Sequence, residues 1–200
     1  TGLPDSNTYT TARDIVLLSS ALIAEFPQLY ARFAMPKFTH NGIRQVNRNE
    51  LLFRDDSVDG VKTGRTKSAG YCLVSSAKRD GIRLISAVMG TDSRTQRTEG
   101  SLGLINYGFR FFETRELYER KDVIAVAKVW KGNMRQLDLT SPSSVHVTVP
   151  RGRYNDLVAV AQIKGPIIAP IAAGQVLGEM HISLDDKLIS QAHLVAAEEV

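Results

Sequence analysis

Val58-Asp59-Gly60-Val61-Lys62-Thr63-Gly64-Arg65-Thr66, followed by Ala69-Gly70-Tyr71-Cys72-Leu73-Val74-Ser75-Ser76-Ala77, is the stretch on which the fold and the chemistry turn. The second segment reads as a strand. The first carries the groups that an acyl-transfer site needs. An edge strand offers backbone N–H and C=O groups that an extended peptide can pair with. Gly64 has no side chain, so a substrate backbone or a catalytic group can approach closely there. Lys62 supplies a positive charge that lowers the pKa of a neighbouring proton carrier or stabilises developing charge. Thr63 offers a hydroxyl that can donate to a carboxylate. A bare tripeptide of this kind is more often a turn with a solvated lysine, so its flanks decide.

Those flanks carry a resemblance. Asn41-Gly42-Ile43-Arg44-Gln45-Val46-Asn47-Arg48-Asn49, Val58 to Gly64, Arg83 to Gly90, Gly108-Phe109-Arg110-Phe111-Phe112-Glu113 and Thr148-Val149-Pro150-Arg151-Gly152-Arg153 run in order along nearly the whole chain. Together they resemble the D-alanyl-D-alanine carboxypeptidases, in particular the low-molecular-mass penicillin-binding protein 5/6 group. Lys62-Thr63-Gly64 matches the third signature motif of these serine enzymes. The resemblance implies the carboxy-terminal portion of such a protein. Its partner motifs, Ser-x-x-Lys with the nucleophile and Ser-x-Asn, are expected to be missing from this chain altogether. They would lie in a missing N-terminal segment of the same protein. The amphipathic C-terminal helix that anchors such proteins to the membrane is likewise expected to be absent from this chain. The resemblance implies a periplasmic location, at the outer face of the bacterial inner membrane.

Composition bounds the classes without choosing among them. The 200 residues are 43% hydrophobic, enough for one core or two modest ones. A net charge of +4 is mild, and no lysine-arginine run marks a nucleic-acid site, so no nucleic-acid partner is expected. No apolar run approaches the roughly 20 residues that span a bilayer. No signal peptide is read, but a fragment that starts at Thr1-Gly2-Leu3-Pro4 would have lost one. The single cysteine, Cys72, is expected to be a small buried core residue. His40, His146, His181 and His193 are scattered without ligand-like spacing, so neither a metal nor a cofactor is expected.

The pattern changes near residue 113. Thr10-Thr11-Ala12-Arg13-Asp14 opens a helix with a threonine cap and an acid in the first turn. Ile15, Leu18, Leu22 and Ile23 give it an apolar stripe, and Pro27 closes the segment. Residues 69–79 and 82–89 read as strands joined by Asp80-Gly81, a strong hairpin signal. Residues 94–112 read as helical, with Gly100, Gly103 and Gly108 either weakening the helix or permitting close packing on a sheet. Beyond Glu113, residues 123–130, 144–149, 157–163, 176–183 and 188–195 are short, β-branched and often alternating, which suggests a small all-β sandwich. The expected architecture is therefore an α/β part of a penicillin-binding domain, residues 1–112, followed by an all-β C-terminal domain, residues 113–200.

Arginine suits the binding of a terminal carboxylate because its planar fork pairs bidentately. Arg97 and Arg48 match positions where the family keeps arginines near the site, and surface solvation is the competing reading. Arg48 could equally hold its loop through a nearby acid. Arg65 lies next in the groove, and its backbone N–H would join the serine's own in an oxyanion hole. The leading expectation is thus a serine carboxypeptidase that removes the terminal D-alanine from peptidoglycan stem pentapeptides and is acylated by β-lactam antibiotics. Lys62 would be catalytic; Thr63, Gly64, Arg65, Arg97 and Arg48 would bind substrate. The alternatives are a serine β-lactamase fragment, which the long β tail disfavours, and a non-catalytic envelope module that binds peptidoglycan or a partner.

Overall fold

The structure, a computed structural model, describes residue 5 and residues 7–200; Thr1-Gly2-Leu3-Pro4 lies outside the described residues. The chain forms two compact units, Thr1–Arg110 and Phe111–Val200.

The first unit opens with α1 (Ala12–Glu25). Thr11 starts it as a capping box: its Oγ1 accepts from Asp14 N at 3.1 Å, and the Asp14 carboxylate accepts from Thr11 N at 3.1 Å. The packed face runs through Ile15, Ser19, Leu22 and Ile23. Leu18, expected on that stripe, points outward instead and is 65% exposed. A short helix, α2 (Pro27–Tyr30), begins on Pro27, whose missing N–H costs nothing in a first turn. A hairpin follows, β1 (Lys37–His40) and β2 (Ile43–Val46), around Asn41-Gly42; both turn residues have positive φ, 48° and 75°.

The sheet that matters for the site is antiparallel, in the order β3 (Val58–Thr66), β4 (Gly70–Arg79), β5 (Ile82–Thr91). Asp80-Gly81 joins the last two in the left-handed conformation its sequence asks for, with φ of 49° and 82°. The helix α3 (Arg94–Phe111) lies on one face of this sheet. Its Ile105 packs with Leu51, Val58, Leu73 and Ala77, and Leu102 and Phe109 border the same cluster. Gly108 is where helix and sheet come closest: a Cβ there would stand 2.5 Å from Leu84 Cδ1. Cys72 is half-buried rather than part of this core, because it alternates with Leu73 and faces away from α3.

The second unit is all β. It comprises β6 (Phe112–Tyr118), β7 (Ala125–Trp130), β8 (Gln136–Thr140), β9 (Val145–Pro150), β10 (Val158–Ile163), β11 (Ile167–Ile168), β12 (Val176–Leu184) and β13 (Lys187–Ala196). Six of these form one sheet in the order β10-β12-β13-β8-β7-β11, and β6 pairs with β9 in a second. The two sheets share a core: Val145 and Val147 of β9 pack with Leu137, Leu139, Met180, Ile182 and Leu194 of the larger sheet. Strands β6, β8 and the two-residue β11 were not anticipated. The fold class is α/β followed by a small β sandwich.

Candidate functional site

Lys62-Thr63-Gly64 lies on β3, at the edge of its sheet, in register with Val74-Leu73-Cys72 of β4. Strand alternation separates the three side chains. Thr63 and Arg65 share a face with Leu73 and Tyr71, the face on which α3 packs, whereas Lys62 and Gly64 belong to the other. Lys62 is exposed and its Nζ donates to the Thr63 carbonyl at 2.7 Å.

A cleft of about 740 Å³ opens beside this strand. Thr63, Gly64, Arg65 and Tyr71 line it from the sheet, Arg94 and Arg97 from the first turn of α3, and Val46, Asn47, Arg48, Glu50 and Phe53 from the loop before β3. The structure therefore brings Arg48, Thr63, Gly64, Arg65 and Arg97 together, while Lys62 stands on the strand's other face.

Arg97 is the most enclosed of these groups, 4% exposed. It organises the cleft through backbone. Its Nη1 donates to the carbonyls of Gly64 and Cys72, both at 3.3 Å, and its Nη2 to that of Arg48 at 3.4 Å. Burial pulls its pKa down, Glu50 opposes this, and Arg94 adds to it. The loop bearing Arg48 is fixed on both sides. Asn47 Nδ2 donates to the carbonyls of Phe33 and Met35, and its Oδ1 accepts from Asn49 N. Asn49, 1% exposed, donates to the Gly60 carbonyl at 2.8 Å and accepts from Leu51 N, which caps the short helical turn after it. Arg48 itself makes no ion pair among the described residues, so its loop is held by asparagines rather than by an acid paired to Arg48.

Behind the site, Asp59 locks β3 to its surroundings. Arg83 grips it bidentately, Nη1 to Oδ1 and Nη2 to Oδ2, both at 2.7 Å, and Tyr30 Oη donates to Oδ1 at 2.8 Å. Burial raises the Asp59 carboxyl, but Arg83 and Tyr30 outweigh it and hold it below the usual range. Burial, with Asp59 alongside, pushes Tyr30 up to about 12.

The glycine of the motif is informative. A Cβ at Gly64 would meet only Cys72 Cβ, at 3.8 Å, an ordinary contact. Packing does not demand glycine there, and its absence of a side chain leaves the strand backbone open to close approach. One sequence expectation needs correcting. Ser75-Ser76-Ala77-Lys78 does have the Ser-x-x-Lys spacing. It lies on β4, where residues three apart point to opposite faces; Ser75 is sealed in the core and Lys78 is exposed. The pair cannot act as nucleophile and base, which need the same face. Asn49, Tyr71 and Arg94 were missed by sequence reasoning. Among the described residues no three histidine, cysteine, aspartate or glutamate side chains gather as metal ligands.

Residues 1–93 match the D-alanyl-D-alanine carboxypeptidase family, and residues 112–200 match the C-terminal domain of penicillin-binding protein 5. The chain is 41% identical over its whole length to half of the D-alanyl-D-alanine carboxypeptidase DacA of Escherichia coli K12. Both of its parts are thus similar to D-alanyl-D-alanine carboxypeptidases. DacC of the same organism is 40% identical, again over all of this chain and half of that protein. Penicillin-binding protein 5 from Haemophilus influenzae superposes with a TM-score of 0.88 at 36% identity, over 98% of this chain and 58% of that one. Penicillin-binding protein D2 from Listeria monocytogenes, solved in a cefotaxime-bound form, superposes with a TM-score of 0.51 at 34% identity over 54% of this chain and 45% of that one. The chain spans about half the length of the curated relatives it matches.

Proposed function

We propose that this chain is the Lys-Thr-Gly-bearing portion of a periplasmic serine carboxypeptidase that trims terminal D-alanine from peptidoglycan stem pentapeptides. The observation that carries it is the cleft in which Thr63, Gly64 and Arg65 meet Arg48 and Arg97, beside a strand edge free to pair with an extended peptide. A segment ahead of Thr1 supplies the nucleophilic serine and its lysine, and it approaches β3 from the side on which Lys62 is exposed. Lys62 then serves the chemistry by its charge. Thr63 and Arg97 receive the substrate's terminal carboxylate, with Arg48 on the opposite wall. The Arg65 N–H and the serine's own N–H stabilise the oxyanion. The serine is acylated with loss of D-alanine, and water releases the shortened peptide. β-Lactams acylate the same serine. An amphipathic helix beyond Val200 holds the protein at the outer face of the inner membrane. Residues 1–112 form the catalytic domain's portion, and residues 113–200 position it.

Fluorescent penicillin tests this reading. The 200-residue chain alone takes no covalent label, because Ser75 is buried on a strand. The full-length protein takes the label and releases D-alanine from a D-alanyl-D-alanine peptide. A labelled band at the mass of this chain, or a full-length protein that releases no D-alanine, refutes the assignment. Label without D-alanine release favours the β-lactamase alternative; neither favours the non-catalytic module.

A further inference from the structure

The cleft carries more positive charge than a terminal carboxylate can neutralise. Arg48, Arg65, Arg94 and Arg97 open onto it, and Glu50 is the one carboxylate among its lining residues. Glu50 is shared: Arg54 Nη2 stands 3.8 Å from it, Thr98 Oγ1 donates to it at 3.5 Å, and its charge also acts on Arg97. Arg97 is held by backbone carbonyls. Arg48, Arg65 and Arg94 have no carboxylate partner among the described residues. Arg65 is nonetheless placed: its guanidinium lies 4.8 Å from the centre of the Tyr71 ring, with Arg97 over the same ring at 5.7 Å. A stacked guanidinium keeps its in-plane N–H fork available for an anion. Like charges crowded around one cleft repel and concentrate counter-charge from solution.

We infer that this cleft contains a second carboxylate subsite, made by Arg65 and Arg94, and that its ligand is a peptide bearing at least two carboxylates. The inference rests on the proposed reading of the cleft as the peptide site. A stem whose terminal carboxylate sits at Thr63 and Arg97, and which continues along β3 toward Thr66, passes Arg65 two residues on, roughly 6–7 Å away. Arg94, on the first turn of α3, faces the same stretch of the cleft. A side-chain carboxylate within the stem meets both arginines, and its amide does not. The site therefore discriminates between stem peptides with free acidic side chains and stem peptides in which those acids are amidated.

The test compares two N-acetylated peptides ending in D-Ala-D-Ala, alike except that their stem side-chain carboxylates are free in one and amidated in the other. With the full-length protein at low salt, the free acid has a kcat/KM about tenfold higher, the preference shrinks as salt is added, and Arg65→Ala with Arg94→Ala abolishes it. Equal kcat/KM for the two peptides overturns the second subsite and leaves the carboxypeptidase reading intact. A preference undiminished in the double variant also overturns it. If neither peptide is turned over, the carboxypeptidase reading fails, and equilibrium dialysis of the same peptides decides the subsite. There, roughly tenfold tighter binding of the free acid, lost in the double variant, supports it, and equal binding overturns it.

Discussion

Gly64 and Asn49 separate groups that serve the site from groups that hold it. A Cβ at Gly64 finds no hard contact, and glycine weakens a strand by roughly 0.5–1 kcal/mol relative to alanine. Gly64→Ala is therefore expected to leave the melting temperature unchanged or slightly raised. The same change slows acylation of the full-length protein by penicillin about tenfold or more, because the added methyl stands where the ligand backbone must lie. Unfolding and acylation rates measured on one preparation check both halves. Asn49→Ala has the reverse profile. It strands the Gly60 carbonyl and the Leu51 N–H, and a buried group left without its partner costs about 1–3 kcal/mol. Denaturant titration should show that loss. Arg97→Ala is expected to cut kcat/KM for a D-alanyl-D-alanine peptide about tenfold to a hundredfold, and penicillin acylation less. The flexible peptide depends more on being positioned than the strained β-lactam does. Equal losses for the two substrates would remove that special role. Arg97 could be singled out from sequence by its place in the motif order, and it does line the cleft. Asn49 was not, because its role is to meet a backbone carbonyl eleven residues on. Arg94 acquires meaning only once the first turn of α3 lands beside β3.

At the level of elements, α3 offers a paired experiment. Gly103 faces open space, so Gly103→Ala gains helix propensity, up to about 1 kcal/mol, and raises the melting temperature. Gly108→Ala meets Leu84 instead and must push it aside, which offsets that gain and lowers stability by about 1 kcal/mol. Two alanines in one helix should thus move the midpoint in opposite directions. Strand β3 has its own sensitivity, to acid. The Asp59 carboxyl is held below its ordinary value, so it contributes stability above the unfolded-state pKa of about 3.9, and that contribution fades as pH falls through the lower folded value. Asp59→Asn should lower stability at neutral pH and flatten its decline below about pH 4. Urea unfolding of both proteins across that range checks the sign. The β4–β5 hairpin and α3 were readable because Asp80-Gly81 and helical spacing are local signals. Strand β6 was not, for it leaves α3 without a breaker and exists by pairing with β9, 27 to 38 residues on. The outward turn of Leu18 shows a related limit: periodicity gives a stripe, and the neighbours decide how much of it is covered.

On the scale of the whole molecule, the second unit closes on itself. Its first strand is bonded to its own β9, and its core draws on both sheets. Residues 111–200 are accordingly expected to fold alone, with a cooperative thermal transition in circular dichroism; a spectrum without one would show that the core needs the rest of the chain. The sequence changes from a helical to an alternating pattern near residue 113, but which strands would be neighbours was not readable, because pairing order is set by contacts distant in sequence. Ile171 and Val200 exchange two backbone hydrogen bonds, 2.8 and 2.9 Å long. Val200 is thereby riveted to the main chain of a residue whose side chain is buried in the core. Here, a tether joined after Val200 would transmit its pull straight into the body of the β unit, so that tension along the tether is borne by a packed interior rather than taken up as slack.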